Sequence, residues 1–269
     1  MIKCHQMLSF IIILMLSCSS QAHFQMLQTD QYLRDKGGKI TLSMPFTHPS
    51  HGGPMMEMDE PYSLVMHHKG KQTDLTDGAT ELSWQGVENQ AKAYQSLAKL
   101  RGLGDYIFVL TPAPYLEESE DTYIQQITKT IVNVGGLPTG WDESLLLEAE
   151  IVPDQTPYGV YAGGLFSGVV MAKGKPQAGV EVEVEFLNHP VNEDKDGFES
   201  DPLIEYPREN INIMTIRTDK NGRFYFGVPH EGFWGFAALG VGEKVKYMGK
   251  DLSQDAVLWI QAHQLKRLR

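Results

Sequence analysis

The chain is poor in cysteine. Its two cysteines, Cys4 and Cys18, both lie within the first 22 of its 269 residues, and we predict below that those residues form an export signal. A chain processed after residue 22 would therefore have no internal disulfide and no thiolate for catalysis or for soft-metal binding. Its stability would have to come from the burial of apolar side chains.

Beyond residue 22 the sequence also lacks long apolar runs and the common motifs of nucleotide and acyl chemistry. No later apolar stretch reaches the roughly 20 residues that a transmembrane helix needs. The chain contains no Gly-x-Ser-x-Gly motif, no phosphate-binding loop and no dinucleotide fingerprint. We therefore expect no membrane span in the processed chain, and the sequence offers no motif for a catalytic nucleophile.

Positive charge is scarce. The chain has 23 Lys and Arg against 34 Asp and Glu, which gives a formal net charge of −11. Such a chain is repelled by nucleic-acid phosphates and by anionic membrane surfaces. The balance argues against both as partners and is compatible with the binding of cations.

The first 22 residues have the pattern of a signal peptide. Lys3 supplies a short positive region, residues 8–16 are an apolar core, and Ser20 and Ala22 occupy the small-residue positions of a cleavage site. Cleavage there exports the protein to the periplasm and leaves His23 as its first residue. An alternative cut before Cys18 would instead give a lipid-anchored protein.

After residue 23 the pattern is that of an all-β protein. Apolar and polar residues alternate, or β-branched and aromatic residues cluster, between Gly and Pro punctuation. The segment at 91–100 fits a helix or an amphipathic strand equally well. The other predicted strands are at residues 39–46, 62–66, 104–110, 123–134, 165–171, 180–186, 223–228, 233–239 and 256–261.

Prolines and glycines between residues 151 and 164 predict a domain boundary. We expect two β-sandwich domains, an immunoglobulin-like one at 23–152 and a second one at 160–269. The order of strands and turns in the second half, from "GVV" and "GKPQAGVEVEVE" to "TDKNGRFYFGVPHEGFWGFAA", resembles the transthyretin-like, carboxypeptidase-regulatory-like sandwich.

Two parts of the chain carry metal-binding residue types. His23, if it is the first residue, could chelate an ion through its α-amine and its imidazole. The loop that follows residue 47 contains His48 and His51, and its Pro and Gly residues allow both imidazoles to face one ligand. The alternative is a frayed terminus and an exposed loop with two incidental histidines.

Methionines follow that loop directly. Met55 and Met58 could add a thioether ligand, whereas we expect Met56 to fill the core. The ligand inventory therefore predicts one divalent ion held by His23 and His48, with His51, Met55 or Met58 as a further candidate. Its affinity should fall between about pH 8 and pH 5 as the amine and then the imidazoles take protons.

Along the whole processed chain the sequence resembles a family of exported proteins that includes the extracytoplasmic NikK-type components of nickel and cobalt uptake systems. The strings that carry this resemblance are "AHF", "FTHPSHGGPMMEM", "GDYIFVLTPAPYLEESED", "GWDE", "EIVPDQTPYGVYAGGLFSGVV" and "HEGFWGFAAL". The resemblance implies a periplasmic protein that binds Ni(II) or Co(II) at His23 and His48 and needs a separate membrane transporter as partner.

Two other functions remain open at this stage. The same ligands could form a histidine-brace copper site, either for copper binding or in a copper oxygenase, which also needs an open coordination position for oxygen. A metal-free scaffold or adhesive sandwich is the third possibility. The methionines and the resemblance favour metal binding without catalysis.

Overall fold

The structure is a computed structural model that describes residues 23–208 and 211–268. Strands make up 51% of these residues, which contain no α-helix. The predicted all-β class is therefore confirmed. No helix in the described part is long and apolar enough to cross a membrane. The predicted signal peptide at 1–22 lies outside the described residues.

Twelve strands precede residue 154. They are β1 (Phe24–Gln25), β2 (Leu33–Arg34), β3 (Gly38–Met44), β4 (Phe46–Thr47), β5 (Ser63–His68), β6 (Lys71–Asp74), β7 (Thr80–Gln85), β8 (Gln90–Leu100), β9 (Gly104–Thr111), β10 (Tyr115–Glu117), β11 (Thr122–Val134) and β12 (Glu150–Pro153). A single 3₁₀ turn, Thr76–Gly78, lies between β6 and β7.

Eleven strands follow. They are β13 (Val160–Tyr161), β14 (Leu165–Ala172), β15 (Lys175–Pro176), β16 (Glu181–Phe186), β17 (Val191–Asn192), β18 (Gly197–Phe198), β19 (Met214–Arg217), β20 (Arg223–Gly227), β21 (Gly232–Ala238), β22 (Val245–Tyr247) and β23 (Lys250–His263). A second 3₁₀ turn, Glu193–Lys195, has Asn192 as its N-cap.

The segment that could have been helix or strand is strand β8. Its buried residues include Ala91 and Ala93 in the first part and Ser96, Ala98 and Leu100 in the second. Within each part the period is two, as in a strand, and the buried face changes between residues 93 and 94. Alanine favours helix in isolation, but antiparallel pairing with β3 and β7 on both sides overrides that preference.

The largest sheet has twelve strands and joins the two predicted halves. Its main path is β19-β16-β21-β23-β11-β9-β5-β6. At its centre β11 and β23 run parallel, in register from Tyr123 opposite Leu252 to Thr130 opposite Trp259. The predicted boundary between residues 151 and 164 therefore separates segments whose strands share one sheet.

A second, five-stranded sheet crosses the same boundary. Its order is β17-β18-β7-β8-β3, so residues 191–198 extend a sheet built from the first half of the chain. The segment from His23 to Met58 lies in contact with both halves. One contact is the bond from the Trp259 indole N–H to the Gln25 carbonyl oxygen, at 3.1 Å.

Candidate metal centre

A two-stranded ribbon brings the two predicted metal-binding segments together. Strands β1 and β4 pair antiparallel, with Phe24 opposite Thr47 and Gln25 opposite Phe46. Continuing that register places His23 opposite His48, and their ring centroids lie 4.5 Å apart. The ribbon is anchored because Phe24 and Phe46 are both buried in the core. The predicted pairing of His23 with the loop is therefore present in the fold.

His23 has a ring nitrogen without a hydrogen bond. Its Nδ1 atom is buried and unpartnered, and it lies 3.5 Å from Oε2 of Glu117. Burial lowers the pKa of His23, and the nearby Glu117 carboxylate only partly offsets that effect. The imidazole is therefore neutral at pH 7, which is the form that binds a metal ion.

His48 is more deeply buried, with 7% of its surface exposed. Its Nδ1 atom is also buried without a hydrogen bond, and it lies 4.0 Å from Oε1 of Glu185. Burial, followed by the neighbouring His23 and His51, lowers the pKa of His48 to about 4. We expected histidine protonation to weaken metal binding as the pH falls from about 8 to 5. The His48 imidazole instead stays neutral over that range.

Glu117 stands at the open side of the pair, and sequence reasoning missed it. Its Oε1 atom accepts hydrogen bonds from the Ser119 hydroxyl, at 2.6 Å, and from the Ser119 backbone N–H, at 3.1 Å. The Ser119 hydroxyl bond is the largest of the effects that lower the pKa of Glu117. The run "EESED" reads as a solvated acidic surface, and only the pairing of β10 with β11 turns Glu117 towards His23.

Glu185 lies on the opposite, interior side and was also missed. Its Oε2 atom accepts a hydrogen bond from the Ser50 backbone N–H at 3.1 Å, whereas its Oε1 atom has no hydrogen-bond partner. Burial raises the pKa of Glu185 to about 8. In the alternating segment "EVEVEF", glutamates would ordinarily face solvent, but here the loop after β4 covers their face.

That loop, residues 48–54, is attached to the second half of the chain. Pro49 and Ser50 accept hydrogen bonds from the backbone N–H and side-chain amide of Asn188, at 3.1 and 3.2 Å. Gly52 has φ +67°, and a Cβ there would lie 2.9 Å from the His189 ring. The backbone of the loop is therefore held in place by residues more than 130 positions away.

His51 is held on this attached side. The Asn212 side-chain amide nitrogen lies 2.9 Å from His51 Nδ1 and 3.0 Å from Nε2, and it also donates to the Ser50 hydroxyl at 2.6 Å. His51 is thus already engaged within the protein. It is also one of the neighbours that lower the pKa of His48. The structure places it beside the facing histidines rather than between them.

The methionines are part of the core. Met55 and Met58 are both buried and belong to the hydrophobic core. Met55 and Met56 line an open cleft together with His23 and Glu117. Met58 lines a neighbouring cleft, and its sulfur accepts a hydrogen bond from the Gln25 amide at 3.7 Å. The two predicted thioether candidates are therefore on different clefts.

Comparison with known proteins identifies a family but no activity. Residues 20–242 match the family model described as "Domain of unknown function (DUF4198)". The chain belongs to this family. No curated protein matches the sequence.

Several solved β proteins are similar to this DUF4198 chain at low identity. The D0-D1 domain of Intimin is 13% identical over 88% of this chain and 99% of that one, with a TM-score of 0.21. The Clostridium thermocellum CbhA fibronectin(III)-like modules are 8% identical over 91% and 98%, with a TM-score of 0.22. A marsupial T cell receptor is 10% identical over 91% and 74%, with a TM-score of 0.23. These scores carry no argument about function.

Processing after residue 22 would add one donor atom to this centre. Within residues 23–208 and 211–268, no group of three or more His, Cys, Asp or Glu side chains is arranged to hold a metal ion. A chain that begins at His23 gains an α-amine on the same residue, which is a donor outside that set. The unpartnered Nδ1 atoms of His23 and His48 and this amine are nitrogen donors of the kind that Ni(II), Co(II) and Cu(II) accept.

Proposed function

We propose that this DUF4198 protein is a periplasmic divalent-metal-binding protein that captures Ni(II) or Co(II) for delivery to a membrane uptake transporter. One observation carries the proposal. His23 and His48 face each other at 4.5 Å between ring centroids, and each has a buried Nδ1 atom without a hydrogen bond. Burying an unsatisfied polar atom typically destabilises a protein by about 1–3 kcal/mol. A metal ion bound by these nitrogens would offset that loss.

The charge state of the pair supports the same proposal. Burial lowers the pKa of both histidines, so neither has to lose a proton before it binds an ion at neutral pH. Only the His23 amine, with an ordinary pKa of about 7.7–8.0, would compete with protons near pH 7. We therefore expect proton release on metal binding to come mainly from the amine.

The position of the pair suits a protein that passes its ion on. His23 lines an open cleft with Glu117 and Ser119, so one side of the centre is accessible, while His48 faces the interior. The transporter as recipient follows from the resemblance to NikK-type proteins. No membrane-spanning helix occurs in the described residues, so import would need that separate partner.

A copper protein is the second candidate, because the same two histidines and the amine are the ligands of a histidine brace. Copper should outcompete nickel in vitro in either case, since intrinsic affinity follows the Irving–Williams order. The distinguishing measurement is oxygen consumption by the copper-loaded protein with a reductant and a polysaccharide. Turnover would favour the oxygenase, and its absence with tight nickel binding would favour capture and delivery.

The test of the proposed function is calorimetry with Ni(II) on three exported proteins. They are the wild type, His48→Ala and a variant with one alanine inserted before His23, each checked for its N-terminus by intact mass. The insertion keeps every side chain but separates the amine from the imidazole, so we expect both variants to lose at least about 10-fold in affinity. Wild-type affinity in both variants would contradict the proposed site.

A further inference from the structure

We propose that Glu117 is a ligand of the same ion, so that the centre binds through nitrogen and oxygen and takes divalent ions in preference to Cu(I). This inference rests on the proposed function and adds to it the ligand that the sequence did not indicate. It predicts one ligand set, made of the amine and imidazole of His23, the imidazole of His48 and the carboxylate of Glu117. The three side chains do not by themselves form a metal-binding group in the described residues, so the amine is a necessary donor of this set.

The distance between Glu117 and His23 fits a shared ion. Oε2 of Glu117 lies 3.5 Å from Nδ1 of His23, and this nitrogen has no hydrogen bond. Metal–nitrogen and metal–oxygen bonds of about 2.0–2.2 Å place two ligands of a tetrahedral ion roughly 3.4 Å apart. The two atoms are therefore already at the spacing of neighbouring ligands without a change of fold.

The orientation of Glu117 is fixed by its other oxygen. Ser119 donates both its hydroxyl and its backbone N–H to Oε1, which leaves Oε2 directed towards His23. Hydrogen-bonded carboxylates of this kind are typical around metal sites, where such partners orient the ligand. The two imidazoles are neutral, so Glu117 would be the negatively charged ligand of the set. It would neutralise part of the charge of a divalent ion.

The nearby sulfur atoms are methionine thioethers. Those of Met55 and Met56 belong to residues that line the same cleft as His23 and Glu117, but both side chains are almost completely buried. Met58 lies on a neighbouring cleft, where its sulfur accepts a hydrogen bond from Gln25, and the described residues contain no cysteine. Cu(I) prefers soft sulfur ligands, whereas imidazole and carboxylate suit Ni(II), Co(II), Cu(II) and Zn(II). The carboxylate of Glu117 beside His23 therefore favours the divalent class for this centre.

The experiment compares Glu117→Gln with Glu118→Gln. The two variants remove the same charge from adjacent residues. Glu118 lines the same cleft, but it is exposed, and the ion pair of His23 is with Glu117. We expect Glu117→Gln to weaken Ni(II) binding by at least about 10-fold and Glu118→Gln by less than about threefold. Ser119→Ala, which keeps the carboxylate but releases its orientation, should fall between them.

Co(II) provides a readout that a general loss of stability would not change. The visible absorption of bound Co(II) depends on its ligands, so Glu117→Gln should alter that spectrum at saturating metal while Glu118→Gln keeps it. Equal affinities and equal spectra in the two variants would overturn the role of Glu117. If the wild type and His48→Ala differ as proposed while Glu117→Gln behaves as wild type, only this inference fails. If the wild type binds no divalent ion, the proposed function fails as well.

Discussion

Two glutamates, Glu150 and Glu185, are almost completely buried but differ in the number of hydrogen bonds and in the charged partners of their carboxyl groups. Glu150 lies in the Lys129 joint, which we define as Lys129, Glu150, Ser144 and Leu145. There the Lys129 ammonium lies 2.8 Å from the carboxylate, and the Ser144 hydroxyl and the Leu145 backbone N–H also donate to it. Glu185 lies in the loop joint, made of His48, Ser50, His51, Glu185 and Asn212, and receives one hydrogen bond, from Ser50.

The difference separates an ion-paired carboxylate from a carboxyl group that has a raised pKa and one oxygen atom without a hydrogen bond. In the Lys129 joint the charge is paired and both carboxylate oxygens accept hydrogen bonds, so nothing remains for a ligand. In the loop joint Glu185 Oε1, His48 Nδ1 and Asn212 Oδ1 are all buried without hydrogen bonds. Native proteins leave few buried polar atoms unsatisfied, so a cluster of them beside two neutral histidines supports the proposed binding site.

The strongest way to test the structural side of this comparison is Lys129→Met. The change leaves the Glu150 carboxylate buried without its counter-charge, and breaking a buried ion pair in this way typically lowers the free energy of unfolding by about 3–5 kcal/mol. Urea denaturation at pH 7 would measure it. Lys173→Met is the control, because Lys173 makes only exposed ion pairs with Glu148 and Glu243. Equal losses of unfolding free energy in both variants would show that the buried pair of Lys129 and Glu150 stabilises the fold no more than an exposed ion pair does.

Glu185 should instead make the free energy of unfolding depend on pH. Burial raises its pKa from 4.5 to about 8, so between those values the folded protein keeps a proton that the unfolded chain has released. Stability from this group is therefore complete below about pH 4.5 and is lost as the pH rises towards 8, by up to about 1.4 kcal/mol per pH unit. In Glu185→Gln that component disappears, because the amide does not titrate.

The measurement is the free energy of unfolding between pH 5 and pH 8 in protein freed of metal by a chelator. The wild type should lose stability more steeply with pH than Glu185→Gln. Glu181→Gln is the matched control, since Glu181 lies on the same strand but is partly exposed and pairs with Arg217. Parallel pH profiles for the wild type and Glu185→Gln would mean that Glu185 is ionised in the folded protein.

The sequence predicted what local patterns determine. Alternation and Gly/Pro punctuation were enough for most strands of five or more residues. The residue types of His23 and His48 were enough to single out the pair that the β1–β4 ribbon brings together. Glu117 and Glu185 could not be predicted, because their environment depends on strands and loops distant in sequence that cover or orient them. The sequence also could not predict that both halves share one sheet. The register between β11 and β23 depends on packing against both faces of that sheet.

The smallest effect on metal binding is expected at His51. Its ring nitrogens lie within hydrogen-bond distance of Asn212, and the loop keeps its anchors to Asn188 and Glu185 when His51 is removed. We therefore expect His51→Ala to change Ni(II) affinity by less than about threefold, and to lower the free energy of unfolding by about 0.5–1.5 kcal/mol for the lost hydrogen bond. Calorimetry and urea denaturation on the same preparation would give both values. A loss of affinity as large as that of His48→Ala would show that His51 leaves Asn212 to bind the ion, and the loop joint would then be a ligand donor rather than a support.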